Sequence, residues 1–308
     1  MKPKVYSSTY MKNEMCLPTS AKNYQAPREH PLEYPGHRPK TGFILAEEKV
    51  YPIVWDDKDR GTTSKGQVIL NENKPNSINR FLDSYHVAPL EKRFAVIGYG
   101  SNIVPGQLVS KFGKNTVVPV ILGKIKGYDV VYNLISNMGY AFAEMYKNKS
   151  VEGNIGITFL DKKQFTEMVE TEQNYKLAYS PSDVELESGE TVKGSKIYIF
   201  AGYRKMWVPE NYETPIPIAE LPANGRAEKP LTQTETLELV IEQFNLKEKG
   251  IYTPEDIVNT IRKQSNWEEK SGKLKYELQC DVEQNSRSLP AFESQVTLVN
   301  ENLKLGAE

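Results

Sequence analysis

Phe94 to Leu108 reads FAVIGYGSNIVPGQL: an apolar run, a Gly-Tyr-Gly-Ser-Asn turn, then the opening of a helix. Glycine permits φ > 0 and close backbone approach, and consecutive peptide N–H groups at a strand-to-helix junction form a concavity that suits an anion. The turn is thus expected to hold a carboxylate or a developing oxyanion, with Ser101 and Asn102 as helix caps in the alternative reading. Two nucleotide motifs fail here. The G-x-G-x-x spacing puts Ile103 where a dinucleotide fingerprint needs its third glycine, and no Gly-Lys-Ser/Thr follows to make a phosphate loop.

Working outward, strand signals are dense from Arg93: FAVIG, TVVPVILGKI, YDVVYNLI, YAFAEMY, GNIGITFL and KIYIFAGY, with one embedded helix. The absence of regular helix–strand alternation predicts an α+β fold, a mixed sheet or β-barrel of about six strands with flanking helices. This core is expected over residues 91–220. Residues 1–90 form an N-terminal extension: an extended, Pro- and Tyr-rich arm to about Lys40, a hairpin in TGFILAEEKVYPIVW, and a short helix over Ser77–His86. Residues 221–308 read as a helical segment, with TETLELVIEQF and TPEDIVNTI at helical spacing, and a tail from about Asn285.

The 308 residues include 39 Lys and Arg against 40 Asp and Glu, a formal net charge of −1, so no basic excess points to nucleic acid or an anionic membrane. The start lacks the apolar run of a secretory signal, and no stretch is apolar for a membrane-spanning length of about 18 residues, so a cytoplasmic protein is expected. Two cysteines, Cys16 and Cys280, and three histidines, His30, His37 and His86, offer neither a disulfide framework nor a metal set. The expected partner is a small molecule, with homo-oligomerisation left open.

LDKKQFTEMVETEQNYKL is the second informative stretch. Asp161 and Gln164 have capping-box spacing, so a helix is expected from Lys162. Its apolar stripe is Phe165, Met168 and Val169, and Glu172 continues that face. An unpaired acid on a buried stripe is costly and has its pKa raised towards neutrality, which makes Glu172 a candidate general acid/base; pairing with a buried Lys or Arg is the alternative.

The Tyr99-Gly100-Ser101-Asn102 turn, Glu172 followed by Tyr175, the VEGNIGITFL strand and the later Pro209 and Tyr212 together resemble the gamma-glutamylcyclotransferase family over roughly Arg93 to Tyr212. Gln173 departs from the glycine that often follows the family's glutamate. The resemblance implies a small mixed β-barrel and a lyase or acyltransferase-type enzyme. Such an enzyme releases 5-oxoproline from a γ-glutamyl amide without metal or cofactor. Glu172 is then the catalytic acid/base, and Tyr99, Gly100, Ser101, Asn102, Ile103, Tyr132, Tyr175 and Tyr212 are the candidate substrate-binding residues.

Two other functions fit the same residues. One is a tailoring enzyme that strips a γ-glutamyl protecting group from a larger acceptor. The other is a non-catalytic binding or assembly module.

Overall fold

The computed structural model describes residues 17–71, 75–172, 174–265 and 273–299. The first part of the expected arm, Cys16, Gln173 and the end of the tail lie outside them. In chain order the elements that position the site are strands β1 (Phe43–Ala46), β2 (Lys49–Val54), β3 (Gln67–Ile69) and β4 (Pro75–Ser77), helix α1 (Ile78–Ser84), strand β5 (Phe94–Gly98) and helix α2 (Pro105–Phe112). Then come β6 (Val117–Asn133), β7 (Phe142–Leu160), α3 (Lys162–Thr171), β8 (Tyr175–Tyr179), β9 (Tyr198–Gly202), α4 (Gln233–Gln243), α5 (Pro254–Ser265) and α6 (Lys273–Gln284).

The expected hairpin forms: β1 and β2 pair antiparallel, turning through Glu47 and Glu48 at φ 48° and 61°. Ser77 caps α1 by accepting from the Arg80 N–H at 3.4 Å, and Ile78, Phe81 and Leu82 are buried as their spacing predicts. The core strands differ from expectation. TVVPVILGKI and YDVVYNLI are one strand, β6, as are YAFAEMY and GNIGITFL in β7, and the two pair from Val120↔Thr158 to Asn133↔Phe142. Gly127, at φ +83°, makes a bulge inside β6 and not a turn between two strands.

The architecture is α+β. Strands join in the order β4-β3-β2-β1-β6-β7-β5-β9-β8, mixed because β5 and β9 run parallel at Val96↔Tyr198. With its four short flanking strands the sheet has 13 strands among the described residues, and its pairing path is open at β4 and at β8. A closed six-stranded barrel is therefore not the observed pairing: the hairpin that the sequence puts in an extension joins the edge of β6, at Phe43↔Val120 to Ala46↔Val117.

The described parts of the N-terminal and C-terminal segments belong to the fold. Tyr34 from the N-terminal segment, Ile121 from β6, and Leu237, Ile257 and Phe292 from the C-terminal third belong to one buried apolar cluster. The described part of the expected tail packs as well, with Leu289 bridging Met206 and Leu298 bridging Ala178. No described helix is long and apolar enough to cross a membrane.

Candidate active site

The bend after β5 is shaped by what presses on it. Ile103 is fully buried, and its Cγ2 occupies the space that side chains at Gly98 and Gly156 would need, two residues that face each other across β5 and β7. A Cβ on Gly100 would stand 2.6 Å from the Tyr34 hydroxyl. Gly100 sits at φ −121°, so close approach and not a left-handed backbone is what requires glycine here. Ser101–Ile103 forms one 3-10 turn, and α2 then starts at Pro105 with Val104 as a cap that has no side-chain bond. Asn102 is thus not a helix cap. Among the described residues, nothing accepts from the N–H groups of Gly100, Ser101 and Asn102.

α3 starts as expected, with the Asp161/Gln164 capping box. Its buried residues are Gln164, Phe165 and Met168, whereas Val169 is exposed. Glu172 is the C-cap, its side chain 15% exposed, at the end of the helix where backbone carbonyls carry partial negative charge. A carboxylate there needs a cation, and α2 supplies one. Lys111, with a side chain only 4% exposed, places Nζ 2.5 Å from Glu172 Oε1, 3.1 Å from Asn102 Oδ1 and 3.1 Å from Met168 Sδ. The Asn102 amide closes the triangle by donating from Nδ2 to Glu172 Oε1 at 3.0 Å. Of the two readings the sequence leaves open for this acid, pairing with a lysine is the one observed, and that cation stands at the bend itself. Both partners address Oε1, and among the described residues none hydrogen-bonds to Oε2.

These groups line one cavity of about 150 Å³, roughly ten water-sized volumes. Tyr99, Gly100, Ser101, Asn102, Glu172 and Tyr175 all face it. Three expected site residues do not. Ile103 is the buried anchor of the bend; Tyr132 is fully buried with its hydroxyl 3.4 Å from Glu220; and Tyr212 has its carbonyl held by Arg287. Closeness to a motif in sequence does not say which face a side chain takes.

The sequence reading missed the opposite wall. Tyr34, from the N-terminal segment, stacks on Tyr140 with ring centroids 4.5 Å apart, and both line the cavity beside Arg28. The Tyr34 hydroxyl accepts from the Ala143 N–H at 2.8 Å, and Tyr175 donates to the Ala143 carbonyl at 2.9 Å. β5 pairs with β7 only over Gly156–Leu160, so these two phenols complete the Ala143 backbone where that neighbour is lacking. Burial raises Tyr34, Tyr99 and Tyr175 well above the usual phenol range, and Tyr140 is pushed up to about 12 by burial and then by the Glu172 charge. The wall is therefore one of neutral hydroxyls. Among the described residues no group of three His, Cys, Asp or Glu side chains is placed to hold a metal ion.

No protein-family model matches the chain, and no curated protein matches it. Solved structures with some likeness include a gamma-glutamyl cyclotransferase, 11% identical over 61% of this chain and 98% of that one, at a TM-score of 0.31. An uncharacterized Homo sapiens protein is 13% identical over 61% of this chain and 96% of its own, at a TM-score of 0.32. A protein of Arabidopsis thaliana solved in solution is 13% identical over 52% of this chain and 93% of its own, at a TM-score of 0.30. Likenesses at this level assign neither activity nor residues, and the functional reading stands on the site.

Proposed function

We propose that the protein cleaves a γ-glutamyl amide by attack of the substrate's own α-amine, releasing 5-oxoproline and an amine or amino acid. One observation carries the reading: the Glu172 carboxylate and the Gly100–Asn102 bend, whose backbone N–H groups have no acceptor among the described residues, line the same small cavity and are joined through the Asn102 side chain at 3.0 Å. A γ-glutamyl group presents an ammonium and a carbonyl carbon four bonds apart, the two ends of a five-membered ring, and these two features match them.

In this reading Glu172 Oε2 takes a proton from the α-ammonium, and the freed amine attacks the γ-carbonyl. The new C–N bond closes a five-membered lactam, and the N–H groups of Gly100, Ser101 and Asn102 bind the oxyanion. Collapse breaks the amide bond as Glu172 passes the first proton to the leaving amine, and the carboxylate then takes the second proton from the ring nitrogen, leaving a neutral lactam. Lys111 and Asn102 hold the carboxylate through its other oxygen. Folding the substrate so that amine and carbonyl meet supplies up to roughly 7–11 kcal/mol through effective molarity, so no protein nucleophile is needed.

The test is release of 5-oxoproline in step with the amine from γ-glutamyl dipeptides and γ-glutamylated amines. Glu172→Gln is expected to slow it by about 10²-fold or more while the protein stays folded, the range for loss of a positioned acid/base. Full turnover by that variant would falsify the assignment.

The tailoring reading has one observation in its favour: Arg28 and Tyr34, outside the core expected from sequence, build part of the cavity wall. It predicts a higher kcat/KM for a large γ-glutamylated acceptor than for a dipeptide. Binding of γ-glutamyl amides with no 5-oxoproline from any of them marks the binding-module alternative.

A further inference from the structure

The reaction above leaves one end of its substrate without a partner. Glu172 meets the α-ammonium and the bend meets the γ-carbonyl, but nothing yet meets the α-carboxylate of the glutamyl group. The same cavity has unmatched groups of its own. Gln107, on α2, is 8% exposed and lines the cavity, and among the described residues its amide makes no hydrogen bond. A buried amide without partners is costly, and the open space beside it is where its donors are left to act. Arg28 lines the cavity too, and its guanidinium forms no ion pair or hydrogen bond among the described residues. Lys111 and Glu172 neutralise each other, so Arg28 is the cavity's unmatched charge.

Helix geometry and one main-chain contact bring these groups together. Gln107 and Lys111 are at i and i+4 on α2 and both line the cavity, so their side chains stand one turn, about 5–6 Å, apart. Gln107 is thus one turn from the carboxylate that Lys111 holds at 2.5 Å. The residue before it, Gly106, sits against the N-terminal segment: its N–H donates to the Tyr24 carbonyl at 2.9 Å, and a side chain there would collide with that oxygen. Arg28 follows shortly after Tyr24. Its backbone is fixed by bonds from the Glu29 and His30 N–H groups to the Ala26 carbonyl, and by Arg262 of α5, which donates to the Arg28 carbonyl at 2.5 Å. Burial raises the Tyr140 hydroxyl to about 12 with the Arg28 charge opposing the rise, so the guanidinium acts on the cavity wall.

We infer that Gln107 and Arg28 form the subsite for the substrate's α-carboxylate, Gln107 donating from Nε2 and Arg28 supplying the opposite charge. The α-carboxylate and α-ammonium hang on one carbon. A carboxylate held one helical turn from the Lys111–Glu172 pair therefore turns the amine towards its base, and the two residues select a glutamyl group over an acyl group that has only the amine.

The assignment rests on the proposed reaction for the orientation of the substrate, and the test separates the two. γ-Aminobutyryl-alanine keeps the amine, the scissile carbonyl and the leaving group of γ-glutamyl-alanine and lacks the α-carboxylate; its cyclisation gives the unsubstituted lactam. The wild type is expected to favour γ-glutamyl-alanine in kcat/KM. Gln107→Leu and Arg28→Gln should each shrink that preference about tenfold or more, the range for one hydrogen bond to a charged group, and Arg28→Lys should keep more of it than Arg28→Gln. A merely structural role lowers both compounds alike, so an unchanged ratio in the variants overturns the inference. If Arg28→Gln instead erases a preference for γ-glutamyl-alanine over γ-glutamyl ethylamide, Arg28 holds the leaving group and its place in the subsite is overturned. If neither compound is turned over, the reaction fails and calorimetric binding of the same two compounds decides. A preference for γ-glutamyl-alanine that both variants lose supports the subsite; equal binding of the two compounds in every protein overturns it.

Discussion

Lys111 and Glu172 show how one site is assembled from two rule-breaking side chains. Each lies where its helix should present an apolar residue: Lys111 continues Val104 and Leu108 on α2, and Glu172 continues Phe165 and Met168 on α3. Each charge is tolerable only because the other is there. Lys111→Met should strand the acid at the end of α3 and cost about 3 kcal/mol, the low end for a broken buried pair because Glu172 keeps some exposure, as read from urea unfolding. Gly100→Ala drives a methyl into the Tyr34 hydroxyl and should cost about 1–3 kcal/mol, with turnover falling as the bend is displaced. Half of the pair was legible in sequence, since the stripe argument found Glu172. The same argument applied to α2 finds Lys111, but there the Ser101–Asn102 capping reading drew attention to the wrong end of the helix. The buried acid of β7, Glu144, gave no such signal. In a strand buried on both faces, an acid interrupts no period.

At the scale of elements, the strands were found but not their joins. A bulge at Gly127 and the polar stretch Lys147–Ser150 look in sequence like turns, because they carry glycine or polar residues. What keeps β6 and β7 continuous is their mutual ladder, a long-range pairing that no local pattern encodes. β8 was missed because it is held by its pairing with β9, from Tyr175↔Gly202 to Tyr179↔Tyr198, and not by a strong period of its own. The long β7 has an energetic consequence at Glu144, pushed up to about 8, and the sheet has another at Glu187, pushed up to about 7, both by burial. The folded state keeps protons that the unfolded chain releases near pH 4.3, so stability falls as pH rises from there through about 8, with a limiting slope near 1.4 kcal/mol per pH unit for each group. Urea midpoints measured from about pH 5 to 9 should decline, and Glu144→Gln should flatten the curve.

For the whole molecule, the segments outside the expected core complete it. The N-terminal segment gives Tyr34 to the cavity and seats α2, whose Gly106 N–H donates to the Tyr24 carbonyl at 2.9 Å. Deleting residues 1–40 should therefore abolish turnover and lower the unfolding midpoint, whereas a free arm would leave both alone. The loop after β9 is tied back by Arg226, which meets Asp129 at 2.6 Å with both side chains under 10% exposed. Arg226→Met should cost about 3–5 kcal/mol, since it leaves that acid buried without its cation. Composition showed these segments only as stretches with a different character, because packing against a distant sheet leaves no local mark in sequence.

The central claim is that one γ-glutamyl ligand touches the acid and the bend at once. It is tested most directly by the structure of Glu172→Gln with a γ-glutamyl amide bound. The account predicts the α-amine within hydrogen-bonding reach of residue 172 and the γ-carbonyl oxygen on the N–H groups of Gly100, Ser101 and Asn102. A ligand bound outside this cavity, or one with its amine turned away from residue 172, contradicts it.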